Sequence, residues 1–168
     1  MLMEMRVIVI PNNLKEFKTF PTNLKMPSIK IKIKKLQEEA IIPSYAHEGD
    51  AGLDLCSCEE YVLKSGERKL FPTGLSIELP EDYVSLIWDK SGIANKGVKT
   101  MGGVIEFTYR GEYKIILLNT SEEDYVINKG DKIAQLLIQP IMTADIEEVE
   151  GLSETSRGDG AFGSTGVN

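Results

Sequence analysis

Histidine and cysteine are scarce in this chain: His47 is the only histidine, and Cys56 and Cys58 are the only cysteines, among 168 residues. Two thiols with one distant histidine make a poor zinc site, and a disulfide-rich scaffold is excluded. A Ser-His-Asp triad could run only through His47, and no nucleophile elbow accompanies it. The His-x-Glu and Pro-Cys-x-x-Cys pattern of the zinc deaminases is absent. Long apolar runs are also lacking: stretches such as Val7–Ile10 fall far short of the ~20 residues that span a bilayer. No charged start, apolar stretch and small-residue cleavage site follow one another, so the expected location is cytoplasmic. Basic residues are outnumbered, 19 against 26 acidic, for a net charge of −7. That balance argues against general nucleic-acid binding, which needs a basic surface to displace counterions. What chemistry remains rests on carboxylates, backbone amides, tyrosine or a bound metal.

The chain is long enough to build one domain with its own core. Its charge is unevenly spread. Residues 1–36 hold eight basic and two acidic residues, whereas the rest is strongly acidic. A basic arm can touch nucleic acid or a partner, but lysines are also common on solvated strand edges, where they block aggregation. Period-two alternation dominates. Ser28–Lys34 alternates apolar and basic residues, placing Ile29, Ile31 and Ile33 on one face of a strand. Further strands are expected at Tyr61–Lys64, Arg68–Phe71, Leu75–Leu79, Val84–Trp88, Gly103–Ile105, Tyr113–Asn119, Asp124–Ile127, Lys132–Gln139 and Ala144–Val149. Turn signals separate many of them, including Ser65-Gly66, Pro72-Thr73-Gly74, Pro80-Glu81-Asp82 and Asn128-Lys129-Gly130. One short helix is expected at Gly92–Lys96. The pattern predicts an all-β sandwich, jelly roll or barrel. Residues 1–25 form an extension of unassigned structure, 26–152 the β domain, and 153–168 a glycine-rich arm with too few large apolar residues for a core.

Five short constellations carry possible chemistry. The arm reads Arg157-Gly158-Asp159-Gly160-Ala161-Phe162-Gly163-Ser164-Thr165-Gly166. Its glycines let backbone amides approach phosphate oxygens, and Arg157 and Phe162 could pair with phosphate and stack on a base. It is no P-loop, because Ser164 stands where lysine is required and no helix can follow. Taken alone it reads as a disordered tail or a phosphate clamp. Asp89-Lys90-Ser91-Gly92-Ile93-Ala94 places a lysine, a hydroxyl and a glycine amide at a helix start, which is either an anion site or a helix capped by Ser91. Ala51-Gly52-Leu53-Asp54-Leu55 reads as a turn entering a strand. Gly103–Glu112 reads as a hairpin carrying the carboxylate Glu106 and Tyr109. The fifth is Gly130-Asp131-Lys132-Ile133-Ala134-Gln135-Leu136.

In this order the five resemble the motifs of the trimeric dUTPase family (deoxyuridine triphosphate nucleotidohydrolases), over roughly residues 29–168. The most specific matches are Ala-Gly-x-Asp-Leu at 51–55, Tyr-Arg-Gly-Glu at 109–112 and Phe-Gly-Ser-Thr-Gly at 162–166. The resemblance implies a β jelly-roll homotrimer whose sites draw on neighbouring subunits and are closed by the C-terminal arm. It implies cleavage of dUTP to dUMP and pyrophosphate by water attacking the α-phosphate, with Mg²⁺ on the triphosphate as cofactor and no nucleic-acid or membrane partner. Glu106 would act as general base, and Asp54 would hold water of the magnesium shell. Lys90, Ser91, Gly92 and Gln135 would contact phosphates. Arg157, Gly163, Ser164 and Thr165 would clamp them, and Phe162 would cover the uracil. Backbone groups of Gly103, Val104 and Ile105 would read the uracil edge, and Tyr109 would pack on the sugar. Thr100 and Lys114 occupy further nucleotide-contacting positions.

The sequence departs from the family at two functional positions. Aspartate is usual where Glu106 stands, and a carboxylate displaced by ~1 Å can cost on the order of 10²-fold in rate. Arginine is usual at Lys90, so the charge is kept and the bidentate fork is lost. Thr108 and Ala161 are milder differences. These departures leave two alternatives to the main reading: a nucleotide-binding or regulatory homologue with weak or lost catalysis, and a related hydrolase that also accepts dCTP.

Overall fold

The computed structural model describes residues 28–161. Eleven strands and one short helix follow one another as β1 (Lys32–Lys35), β2 (Leu53–Cys56), β3 (Tyr61–Leu63), β4 (Arg68–Pro72), β5 (Leu75–Glu78), β6 (Tyr83–Asp89), α1 (Ser91–Ala94), β7 (Val98–Thr100), β8 (Val104–Glu106), β9 (Lys114–Asn119), β10 (Tyr125–Ile127) and β11 (Lys132–Pro140). All pairings are antiparallel. The largest sheet has the order β2-β11-β6-β8, and a second has the order β4-β9-β7. The pairs β1-β5 and β10-β3 complete the walls. This is the all-β architecture that the alternation and turn spacing predict, and the jelly roll that the resemblance implies.

The core forms where the inner faces of these sheets meet. In β9 the alternation is strict: Ile115, Leu117 and Asn119 are buried while Lys114 and Ile116 face outward. Leu55, Leu63, Phe71, Leu75, Ile77, Ile127, Ile133 and Leu136 fill the space between, all at most 1% exposed. Each such burial contributes about 1.5–3 kcal/mol relative to exposure, so the interior needs no disulfide. Cys56 and Cys58 are accordingly free, buried thiols. Among the described residues the one buried side-chain amide is fully used. Asn119 Nδ2 donates to the carbonyls of Leu63 and Glu123, and its Oδ1 accepts from Ser121 N–H and Ser121 Oγ.

Three expectations are corrected, and one strand has no counterpart among them. The first strand is shorter than Ser28–Lys34, and Ile29, Ile31 and Ile33 are half-buried, because it pairs only with β5 at the rim. Lys32 there meets Glu78 at 2.6 Å, the solvated edge the lysine pattern suggests. Residues 144–149 form no strand: their alternation is present, but no neighbouring strand pairs with them, and they are exposed. Strand β7 has no matching expectation, being only three residues paired to the distant Asn119 end of β9. Ser91 does not cap the helix. Lys90 is the N-cap residue, and no side chain caps it.

Candidate functional site

The four-stranded sheet sets the site. Cross-strand register puts Gln135 of β11 opposite Asp54 of β2 on one side and opposite Trp88 of β6 on the other. Residues opposite one another share a face, so Asp54, Gln135 and Trp88 form one row on the face turned away from the core. The other face is apolar, with Leu53, Leu55, Ala134 and Leu136 buried. Gly52 brings the chain before β2 against this row. A Cβ at Gly52 would come within 3.2 Å of Gln135 Cβ and Cδ, so the glycine in the Ala-Gly-Leu-Asp run makes room for the glutamine. Asp50, Ala51, Gly52, Trp88, Asp89, Gln135 and Leu137 line a cleft of about 400 Å³.

Next to Gln135 in this row, Asp54 carries the buried charge and is only 4% exposed. Lys90 Nζ donates to its Oδ1 at 2.7 Å. Lys132 Nζ lies 2.7 Å from its Oδ2, an ion pair in which Oδ2 is left without an aligned hydrogen-bond donor. Burial alone would push the Asp54 carboxyl up, but Lys132 and Lys90 together outweigh it and hold the carboxyl below its ordinary range. The same contact raises Lys132. Lys90 follows β6 as the N-cap of α1, where Ser91 and Gly92 are exposed. Their backbone N–H groups belong to the first helical turn, which has no preceding carbonyl to accept them. Lys90, Ser91 and Gly92 are therefore gathered as donors beside Asp54. Asp89 steadies this junction: its Oδ1 accepts from both Thr100 N–H and Thr100 Oγ1, at 2.5 and 2.6 Å.

A second cleft, of about 380 Å³, lies at the hairpin and is lined by Leu70, Val104, Ile105, Glu106, Tyr109, Glu112 and Lys114. Two glycines shape it. Gly103 has φ +138°, and a Cβ there would collide with Ile87 Cβ. The close approach lets the Gly103 carbonyl accept from Ile87 N–H at 2.8 Å. A Cβ on Gly111 would meet the Tyr109 hydroxyl, which donates to the Glu112 carbonyl at 3.1 Å. The Tyr-Arg-Gly-Glu run is largely a brace for this loop. The Arg110 guanidinium donates to the carbonyls of Phe107 and Tyr109, and Glu112 Oε1 accepts from Gly74 N–H at 2.9 Å. Beneath it, buried Ser85 Oγ donates to the Ile105 carbonyl at 3.2 Å and sits 2.9 Å from the Tyr113 hydroxyl. Glu106 itself is exposed at the end of β8. Among the described residues its carboxylate has neither a hydrogen-bond partner nor an ion pair, so it is available to a ligand.

The sequence-predicted residues thus fall into two groups within one chain. Gln135 lines the first cleft, with Asp54 opposite it in the strand register, Lys90 bonded to Asp54, and Ser91 and Gly92 following Lys90 in α1. Val104, Ile105, Glu106, Tyr109 and Lys114 line the second, with Gly103 behind them. Thr100, on β7, lines neither cleft and donates its hydroxyl hydrogen to Asp89. Arg157 is exposed and donates to the Gly160 carbonyl at 2.9 Å, lining neither cleft. Phe162, Gly163, Ser164 and Thr165 lie outside the described residues. Sequence reasoning missed Lys132 and Trp88. The lysine sits in the fifth motif, at the edge of a register shift between Lys132 and Ala134 in β11, where its ladder partner is Cys56 and a sequence period does not reveal its ion pair with Asp54. Among the described residues no three His, Cys, Asp or Glu side chains converge as a metal cage, and no helix is long and apolar enough to cross a membrane. His47 is exposed and faces only Asp50, at 3.5 Å.

The dUTPase family model matches residues 38–166. The deoxyuridine 5'-triphosphate nucleotidohydrolase of Clostridium acetobutylicum is 48% identical over 142 residues, spanning 83% of this chain and 98% of that protein. That of Clostridium novyi is 49% identical over 142 residues, spanning 83% of this chain and all of the other. Among solved structures, Staphylococcus bacteriophage 80alpha dUTPase with dUPNHPP is similar at TM-score 0.75 and 30% identity, covering 83% of this chain and 100% of that one. A mutant dUTPase from phage phi11 of S. aureus, described for its coordination of a structural Mg(II) ion, is similar at TM-score 0.70 and 29% identity over 75% of this chain and 100% of its own.

Proposed function

The chain belongs to the dUTPase family and is an enzyme of dUTP hydrolysis, and from that premise we propose how its residues do the work. Water attacks the α-phosphorus of dUTP. A Pα–O bond forms, the bond from Pα to the bridging oxygen of the β-phosphate breaks, and dUMP and pyrophosphate leave. Glu106 takes the proton of the attacking water. The observation that carries this role is its exposed, unpartnered carboxylate in a cleft whose other carboxylate, Glu112, is already engaged by Gly74 N–H and Lys114. A general base of this kind contributes ~10²–10⁴-fold.

Lys90, the Ser91 and Gly92 amides, the Ser91 hydroxyl and Gln135 hold the phosphates and stabilise charge that develops there. The hairpin at Gly103–Ile105 offers backbone donors and acceptors to the uracil edge, where cytosine carries an amino group instead. Tyr109 packs on the deoxyribose, and Arg157 with the segment through Thr165 covers the bound nucleotide. Thr100 and Lys114 add contacts from the flanks.

Mg²⁺ fits this donor set. Magnesium keeps several waters and takes phosphate oxygens rather than needing an all-protein cage. Asp54 Oδ2, buried without an aligned donor, has the lone-pair capacity to accept from a magnesium-bound water. Bound there with the triphosphate, the ion would neutralise phosphate charge and polarise the α-phosphate.

The two clefts are brought together by a second copy of the chain in a homotrimer. Glu106 pairs with Val84 of β6, while Gln135 pairs with Trp88, four residues further along. At ~3.3 Å per residue that is ~13 Å along the strand alone, too far for one α-phosphate to meet both groups. The sheet face between them is apolar and exposed, with Val104 65% and Trp88 56% exposed. Residues 141–152 run on as an extended segment with Met142, Ile146 and Leu152 open to solvent. Both features suit burial against copies of the same chain. The division into an extension (1–25), a β domain (26–152) and a closing arm (153–168) follows this arrangement, because every motif lies downstream of the extension. The test is pyrophosphate release with Mg²⁺ across dUTP, dCTP, dTTP and UTP. Turnover of dUTP far above the others supports the reading; comparable turnover of dCTP, or none of dUTP, refutes it.

A further inference from the structure

Asp54 is held by two lysines, and the proposed reaction asks one of them to leave. Lys90 donates to Oδ1 at 2.7 Å, yet the same ammonium is the one placed to meet the phosphates. If Lys90 were the only partner, moving it to a phosphate would strand an uncompensated charge on a side chain that is 4% exposed. Breaking a buried pair in that way is strongly unfavourable, and Asp54 would compete with the triphosphate for Lys90. Lys132 removes the conflict. Its Nζ sits 2.7 Å from the other oxygen, Oδ2, and its side chain is half-exposed. It enters from the start of β11, ahead of the register shift that separates it from Gln135 in the cross-strand ladder. It can therefore stay on Asp54 whatever Lys90 does.

We infer that Lys132 is a positioning residue for triphosphate binding: by remaining paired with Asp54 it releases Lys90 to the phosphates. It acts through Asp54 and Lys90 and need not touch the nucleotide. The inference rests on the reading of Lys90 as a phosphate contact. It also explains why a lysine suffices at position 90, because a single point charge can be handed from carboxylate to phosphate without re-forming a bidentate fork.

The experiment is calorimetric binding of the non-hydrolysable imido analogue of dUTP to the full-length chain, without Mg²⁺ and with EDTA present. Removing the metal separates charge hand-over from metal binding. Lys132→Met is compared in two backgrounds, the parent and Asp54→Asn, with Lys132→Arg as the charge-keeping control. In the parent, Lys132→Met should weaken the analogue at least about tenfold, because Lys90 becomes the sole partner of a buried carboxylate. In Asp54→Asn no carboxylate retains Lys90, so Lys132→Met should change affinity by less than about twofold. Lys132→Arg should bind like the parent. A purely structural role would lower affinity in both backgrounds. Equal losses in the two backgrounds, or no loss in either, overturn the inference. Failure of the parent chain to bind the analogue at all overturns the phosphate-site reading beneath it, and the inference with it.

Discussion

Asp54 and Glu106 lie on the same face of one four-stranded sheet but at opposite ends of it. Asp54 is tied through Gln135 to Trp88, and Glu106 is tied to Val84. The intervening strand β6 holds them apart as rigidly as a ruler. On the proposed reading each cleft carries half of a hydrolytic site, and the sheet that builds both keeps the halves apart within a single chain.

Replacing Glu106 by glutamine should leave folding intact, because the carboxylate makes no contact within the described residues. Turnover should fall by ~10²–10⁴-fold with little change in KM, the signature of a group that acts only in the transition state. Glu106→Asp should not lower kcat, since it keeps a carboxylate and restores the residue usual in the family. Steady-state pyrophosphate release checks both, with thermal melting as the control for folding.

Gly103→Ala should unsettle the hairpin. The site demands a positive φ, and a Cβ would collide with Ile87. Backbone strain of this kind costs ~1–3 kcal/mol, read as a lower midpoint in urea. Because this turn presents the proposed uracil-reading backbone, the ratio of dUTP to dCTP turnover should fall as well.

Asn119→Ala tests the core independently of function. It removes a fully buried amide that serves two carbonyls and the two Ser121 donors. Each partner left unsatisfied in the interior costs ~1–3 kcal/mol. The variant should be among the least stable single substitutions, with unfolding by urea as the measurement.

Acid should weaken the protein partly through Asp54. Burial opposes its ionisation, but Lys132 and Lys90 hold its folded carboxyl below the ordinary value of 3.8. Near and below that value the unfolded state binds more protons than the folded state. The stabilisation is present above pH ~4 and is lost as pH falls through the folded value. In Asp54→Asn, stability measured between about pH 3 and pH 7 should therefore fall less steeply at the acid end than in the parent.

Much of this was legible from local pattern. Alternation located β4, β5, β6, β9 and β11 to within a residue or two, since each pairs along most of its length. It failed where tertiary context decides. Val98–Thr100 is too short to carry a period. Ala144–Val149 alternates but has no neighbouring strand among the described residues. At the site, the motifs named Asp54, Lys90, Glu106 and Gln135, whereas Lys132 escaped. Its contact with Asp54 depends on a bulge that no sequence period records. The double service of Arg110 and Glu112 as loop braces was equally hidden, because it depends on where Gly74 and the Phe107 carbonyl come to rest.

The most direct test of the account is complementation between two inactive variants, Asp54→Asn and Glu106→Gln, co-expressed and purified as mixed oligomers. If each site takes Asp54 from one copy and Glu106 from another, mixed oligomers contain sites with both native carboxylates, and dUTP turnover returns to a substantial fraction of the parent's. If both carboxylates serve the same site from one chain, every site in the mixture lacks one of them. Turnover would then stay at the level of the separate variants, contradicting assembly of the site between copies.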